Sequence, residues 1–222
     1  MKLAIFDFDG TLIEKDSLPC LGREWIRQGR SFPRYLSVWA AVMPVYLFYK
    51  SGLSSREAMK EKAFRNFNRF YTGLSRQEIQ DFFRRAYPFL KTRFNPAVLA
   101  ELDLARQEGC HCVLLSGSYQ ELLEIIAQDL GMETVLGARL SYRDEVFDPQ
   151  GQIQFIDGRS KLELLQAAFA DKPVDWQASR AYGDSYADIL ILESVGEKVA
   201  VNPDGELLAH ARRHGWRILS SR

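Results

Sequence analysis

Leu3-Ala4-Ile5-Phe6 is a short apolar run that passes straight into Asp7-Phe8-Asp9-Gly10-Thr11-Leu12. Four consecutive apolar residues read as a buried strand, and Gly10 breaks it. In extended chain, residues two apart point the same way and stand about 6.5 Å apart. Two carboxylates therefore leave the end of a buried strand together. Such a pair can hold a metal and divide the roles of nucleophile and proton donor. A strand followed by a solvated acidic turn is the plainer reading, and later segments weigh between the two.

Three of them repeat the design. Residues 112–118 form an apolar strand that ends in Ser116-Gly117-Ser118, Gly158-Arg-Ser-Lys161 opens a helical pattern, and residues 180–188 deliver Asp184 and Asp188 from another strand end. Around them the chain alternates. Strands are expected at 2–7, 112–116, 179–183, 198–202 and 216–219, and helices at 96–108, 118–130, 160–170, 186–195 and 204–214. Pro96 suits a first helical turn, and Gly109 and Gly196 stop helices. This alternation predicts an α/β fold, a parallel sheet with helices on both faces, whose ligands bind beyond the carboxyl ends of the strands. Asp7, Ser116 and Asp184 each fall at such an end. Residues 135–156, with Gly137, Pro149 and Gly151, read as strands and a turn in a hairpin.

Residues 15–91 differ, being helical in tendency and rich in aromatics. Residues 35–49 carry no charge and are bounded by Arg34 and Lys50. As a helix they span about 22 Å, short of the roughly 30 Å core of a bilayer, and Pro44 adds a kink. A membrane span is not expected. A helix apolar all round is buried or touches lipid. The first expectation is a buried helix. The second is an apolar face for a greasy substrate or a membrane interface, where Trp and Tyr favour the boundary.

The acid pair, the serine, the lysine and the second acid pair, in that order, resemble the haloacid dehalogenase (HAD) superfamily of phosphatases. Asp7-Phe8-Asp9-Gly10-Thr11 resembles its first motif, and Gly183-Asp184 with Asp188 its last. The nearest branch is subfamily IB, the phosphoserine-phosphatase-like group, which the stretch Lys198–Asp204 with Gly215-Trp216 also resembles. The resemblance implies a three-layer Rossmann-like core at 1–14 and 92–222, interrupted by a helical cap at 15–91. Against phosphoserine phosphatases the chain departs at Gly10, where Ser is usual, and at Ala187, where Asn is usual.

The expected chemistry is hydrolysis of a phosphate monoester. Asp7 attacks as nucleophile to give an aspartyl-phosphate, ionised without help from a base. Asp9 protonates the leaving oxygen and then deprotonates water. Ser116, with the Gly117 N–H at a helix start, holds phosphate oxygens, and Lys161 offsets the gathered negative charge. Asp7, Asp9, Asp184 and Asp188 offer oxygen donors without nearby His or Cys, which suits Mg²⁺. The resemblance implies that Asp9 contributes its backbone carbonyl, and Asp188 is placed behind Asp184. Thr11, Asp16 and Gly117 are taken as substrate-side residues, Thr11 by orienting the loop. Each also has an ordinary reading: Ser116 as a helix cap, Lys161 as a solvated helix residue, Asp188 as a first-turn acid.

Lys+Arg and Asp+Glu both number 29, so bulk charge gives no reason to expect nucleic-acid binding. No signal pattern precedes the first strand, so a cytoplasmic protein is expected, membrane-peripheral if 35–49 meets lipid. Three cysteines make no disulfide framework. His210 and His214 stand one helical turn apart with no third ligand in view. The partner is a small-molecule phosphate ester: an amino-alcohol phosphate such as histidinol phosphate, or a lipid head-group phosphate such as phosphatidylglycerophosphate. A phosphotransferase would use the same aspartate chemistry with an acceptor other than water.

Overall fold

The computed structural model describes residues 1–153 and 155–220; Gln154, inside the expected hairpin span, and Ser221 and Arg222, at the end of the expected core, lie outside them. In chain order the elements are β1 (Leu3–Phe6), α1 (Ser17–Arg27), α2 (Phe32–Lys50), α3 (Arg56–Phe67), α4 (Arg76–Lys91), α5 (Pro96–Gln107), β2 (His111–Tyr119), α6 (Gln120–Leu130), β3 (Thr134–Ala138), β4 (Tyr142–Arg143), β5 (Val146–Phe147), α7 (Gly158–Ala168), β6 (Arg180–Gly183), α8 (Ile189–Glu193), β7 (Glu197–Val201), α9 (Gly205–His214) and β8 (Arg217–Leu219).

Six strands form a parallel sheet in the order β3-β2-β1-β6-β7-β8. The chain starts in the middle, builds outward through β2 and β3, then returns to the other side of β1. That reversal creates a crevice at the carboxyl ends of β1, β2 and β6, where open α/β sheets take their ligands. Alternate side chains of each strand face opposite layers. Leu3, Ile5, Val113, Leu115 and Ala181 pack against Leu165 of α7, Leu192 of α8 and Leu207 of α9. Ala4, Phe6, Leu114 and Tyr182 face Val98 and Leu102 of α5 and Leu122 and Ile126 of α6. The Phe6 and Tyr182 rings stack at 4.4 Å.

Helices α1–α4 intervene between β1 and α5 and share the second of these cores. Their interior is aromatic: Tyr119 at the end of β2 meets Phe64, Tyr71 and Phe83 with ring centres 4.9–5.5 Å apart, and Trp25 packs on Phe70 and Phe82. The passages into and out of this insert run side by side. Ile13 pairs antiparallel with Phe94, the Glu14 N–H donates to the Arg93 carbonyl, and the Asn95 N–H donates to the Leu12 carbonyl at 2.9 Å.

Three local expectations need correction. The helix after Ser116 begins at Gln120, because the backbone stays extended through Tyr119 with a break in register against β3; the Gly117 N–H is not at a helix start. Within 135–156, β3 joins the main sheet as its parallel edge, and the hairpin is confined to β4 and β5. Residues 35–49 do form a helix that continues through Pro44, but only Val38 and Val42 of α2 are buried. The helix lies on the molecule with one flank inward and the other in solvent, so it is not a buried cap helix. No helix among the described residues is long and apolar enough to cross a membrane.

Candidate active site

β1 ends at Phe6, and the next residues fold back tightly: the Leu12 N–H reaches the Asp7 carbonyl, the Ile13 N–H the Phe8 carbonyl, and the Gly10 N–H the Ile13 carbonyl. This turn gives Gly10 a φ of +88°, and a Cβ there would stand 2.4 Å from Asp184 Oδ2. A side chain at Gly10 would thus need a strained backbone and would have to displace the Asp184 carboxylate.

Asp7, Asp184 and Asp188 bring one carboxylate oxygen each within 4.8 Å of one another. Lys161, in the first turn of α7, donates from Nζ to Asp7 Oδ1 and to Asp188 Oδ1, each at 2.6 Å. Asp157 caps α7 by accepting the Ser160 N–H at 2.8 Å. Gly158 keeps that turn close, since a Cβ would meet the Ala187 carbonyl at 2.2 Å. Burial opposes the Lys161 charge, but Asp188 and Asp7 outweigh it and hold the ammonium protonated. Burial raises the Asp7 pKa, with Lys161 opposing it. Asp184 is pushed up to about 8 by burial, with Asp7 and Asp188 adding repulsion. Lys161 pairs with Asp7 and Asp188 alone, while the partly buried Asp184 lies 3.8 Å from Arg56 of α3. An all-oxygen donor set fits Mg²⁺.

Asp9 is outside that group. Its Oδ1 accepts the Ser17 N–H at 2.6 Å and its Oδ2 the Ser17 hydroxyl at 3.1 Å. Burial, then Asp16 and Asp7, push Asp9 up to about 7, against the lowering by Ser17. A carboxyl poised there can give and take a proton near neutrality. Ser17 Oγ also lies 3.2 Å from Ser118 Oγ, and the Ser118 N–H donates to Ser116 Oγ at 3.2 Å. A hydroxyl chain so connects Asp9 to the end of β2. Ser116 is buried and lines the cavity with Gly117; a Cβ on Gly117 would crowd the Ile156 carbonyl at 2.9 Å. Asp16 is exposed at the start of α1, on the cavity rim.

Thr11 is fully buried and is no part of the cavity wall, so it can support the loop but not touch substrate. Two cations from the insert were not anticipated. Arg56 of α3 bonds Asp204 Oδ2 at 2.7 Å and lies 3.8 Å from Asp184 Oδ2, and Lys60 lines the cavity, where its charge acts on Asp7 and Asp184. Neither sits in a motif; only their place on a helix facing the crevice reveals them. His210 and His214 stack on each other and are outside the acidic group.

Fold and site together define an α/β enzyme with its reactive centre at the crevice of a parallel sheet. The sequence model of the haloacid dehalogenase-like hydrolases matches residues 4–193, and the chain belongs to that family. It is 27% identical over 97% of its length to phosphoserine phosphatase SerB1 of Mycobacterium tuberculosis, of which it covers 69%. It is 23% identical over 99% of its length to histidinol-phosphatase of Neisseria meningitidis, of which it covers 98%. A solved structure of a Bordetella pertussis protein of unknown function matches the whole chain and 99% of its own, with a TM-score of 0.81 at 20% identity.

Proposed function

We propose that this chain is a Mg²⁺-dependent phosphomonoesterase working through an aspartyl-phosphate on Asp7. The single observation that carries the reading is Lys161 bridging Asp7 and Asp188 beside Asp184, all at the carboxyl end of the central strands. The phosphatase names of two relatives support it.

Asp7, Asp184 and Asp188 would hold the cation or orient its waters, with the Asp9 carbonyl beside them. Bound there, Mg²⁺ would neutralise phosphate oxygens. An Asp7 carboxylate oxygen attacks phosphorus while the ester P–O bond breaks. Asp9 gives its proton to the leaving oxygen, then takes one from the water that attacks the acyl-phosphate and frees Asp7. Lys161 and the Ser116–Gly117 segment hold the phosphoryl oxygens. Helices α1–α4, residues 15–91, cap the site and exclude water from it.

The expected amino-alcohol phosphate has two supports, the name of the Neisseria relative and exposed Asp16 at the rim, placed to meet an amine. The cavity lining supports the second reading, a phosphate ester with an apolar body: Trp39, Val42, Met59, Phe64, Phe67 and Phe155 form its walls. The test is Mg²⁺-dependent phosphate release from a panel of monoesters, with Asp7→Asn as the blank. Release that survives Asp7→Asn, or that ignores chelation, would refute the assignment.

A further inference from the structure

Exposed apolar residues are concentrated on one helix. Phe32, Leu36, Met43, Tyr46, Leu47 and Phe48 of α2 are all large and exposed, and Leu53, 74% exposed, stands at the tip that follows. Single exposed apolar side chains are ordinary, but a gathered stripe of this kind marks a surface with a partner. At 3.6 residues per turn, Phe32, Leu36, Met43 and Leu47 share the outer flank. Trp39, Val42, Tyr46 and Tyr49 share the inner flank and line the cavity that reaches Asp7. Met43 and Tyr46 are both exposed and cavity-lining, so the outer stripe runs over the rim into the reaction chamber without a polar break.

Charge identifies the partner. Residues 23–69 carry ten Lys and Arg against three Glu, although the whole chain is neutral. The insert is therefore strongly basic and the remainder equally acidic. Lys50, at the end of α2, has its ammonium 5.5 Å from the Tyr46 ring and 5.9 Å from the Tyr49 ring. An apolar helix flank bounded by Arg34 and Lys50 within a net basic insert, with tyrosines at its edge, is the chemistry that settles at an anionic lipid boundary. A second copy of the chain would bring the same basic charge against itself, which disfavours that occupant.

We infer that α2 lies on an anionic lipid surface by its outer flank and receives through its inner flank the apolar tail of a lipid phosphomonoester, delivering the phosphate to Asp7. The substrate half of this rests on the phosphatase reading; the docking half does not. The cavity holds about 900 Å³, near the upper end of the roughly 300–1,000 Å³ of small-molecule pockets. That is far more room than an amino-alcohol phosphate fills, and its apolar walls would gain nothing from one.

The test uses the full chain. Pelleting with phosphatidylcholine vesicles, with and without phosphatidylglycerol, reads docking. Phosphate release from ethyl phosphate and dodecyl phosphate reads the tail pocket. Binding is expected to anionic vesicles, and Leu36→Asp with Leu47→Asp, both exposed on the outer flank, should weaken it about tenfold or more while the circular dichroism melt is kept. The kcat/KM for dodecyl phosphate should exceed that for ethyl phosphate by about 10²-fold, the order expected when several methylenes are buried. Absence from anionic vesicles, or a dimer that the same substitutions dissociate without changing pelleting, would overturn the docking. Equal turnover of the two esters would overturn the tail pocket. Release from neither, with Asp7→Asn no different, would bring down the phosphatase reading and the tail pocket together, while pelleting would still judge the surface.

Discussion

Replacing Asp184 with Asn should make the metal-free protein more stable while removing its activity. Asp7, Asp184 and Asp188 crowd their oxygens within 4.8 Å of one another, and Asp184 is pushed up to about 8, chiefly by burial, with Lys60 and Arg56 opposing. An unfolded Asp titrates near 3.9. Between those values the folded protein keeps a proton that the unfolded chain has released. The native state binds more protons, so wild-type stability falls as pH rises from about 4 to about 8. A shift of about four units sets a ceiling of about 6 kcal/mol. Water entry and relaxation around a side chain that keeps 15% of its surface exposed bring the expected effect to about 2–3 kcal/mol, since buried charges in real proteins behave as in a medium well above the dry-interior dielectric. Asn cannot ionise and escapes the penalty. In thermal melts with chelator, Asp184→Asn should gain about 5–10 °C over wild type above pH 8 and much less near pH 5. Saturating Mg²⁺ should reverse the order, because in the proposed site Asp184 is a ligand that the variant lacks. A variant that melts no higher than wild type at alkaline pH in chelator, or two parallel pH profiles, would refute the charge-crowding argument.

Asp7→Asn should lower phosphate release by about 10³-fold or more with an unchanged circular dichroism spectrum; residual activity within tenfold of wild type would remove Asp7 from the nucleophile's role. Gly10→Ser forces a side chain onto a φ of +88° with a Cβ 2.4 Å from Asp184 Oδ2, a cost of about 1–3 kcal/mol readable from denaturant midpoints. Ser17→Ala removes a hydrogen bond that lowers the Asp9 pKa, so the alkaline limb of the kcat profile should move to higher pH as kcat drops by about tenfold; a fixed limb would sever Ser17 from the proton donor. Phe83→Ala empties a fully buried site against Tyr71 and Tyr119 and should cost about 3–5 kcal/mol of unfolding free energy.

The sheet and its reactive end were legible because the central strands carry short apolar runs, with the acids and Ser116 at or just past their carboxyl ends and Lys161 at the opening of a helical pattern. Local statistics were enough there. What failed depended on tertiary placement. Ser17 precedes no motif, and its hold on Asp9 appears only when α1 swings back over the turn after β1. Arg56 and Lys60 look like any helix cations until α3 faces the crevice. The extended run from Ser116 to Tyr119 escaped because Gly117 fits under the Ile156 carbonyl, a contact 39 residues distant in sequence. An all-apolar pattern carries no information about direction, so the sequence of α2 could not show which flank would be covered.

The pairing of residues 12–14 with 93–95 has a consequence for how this chain can change. From the sheet's side, everything between those two short passages is a loop already tied at its neck. The entropy of holding such a loop depends only logarithmically on its length. The neck therefore works as a socket: the machinery around Asp7 registers the two strands that enter it, and what is mounted above can be exchanged, enlarged or trimmed without rebuilding the sheet. Ser17, Arg56 and Lys60 reach back from the insert to the acids, so any such exchange must keep those three contacts.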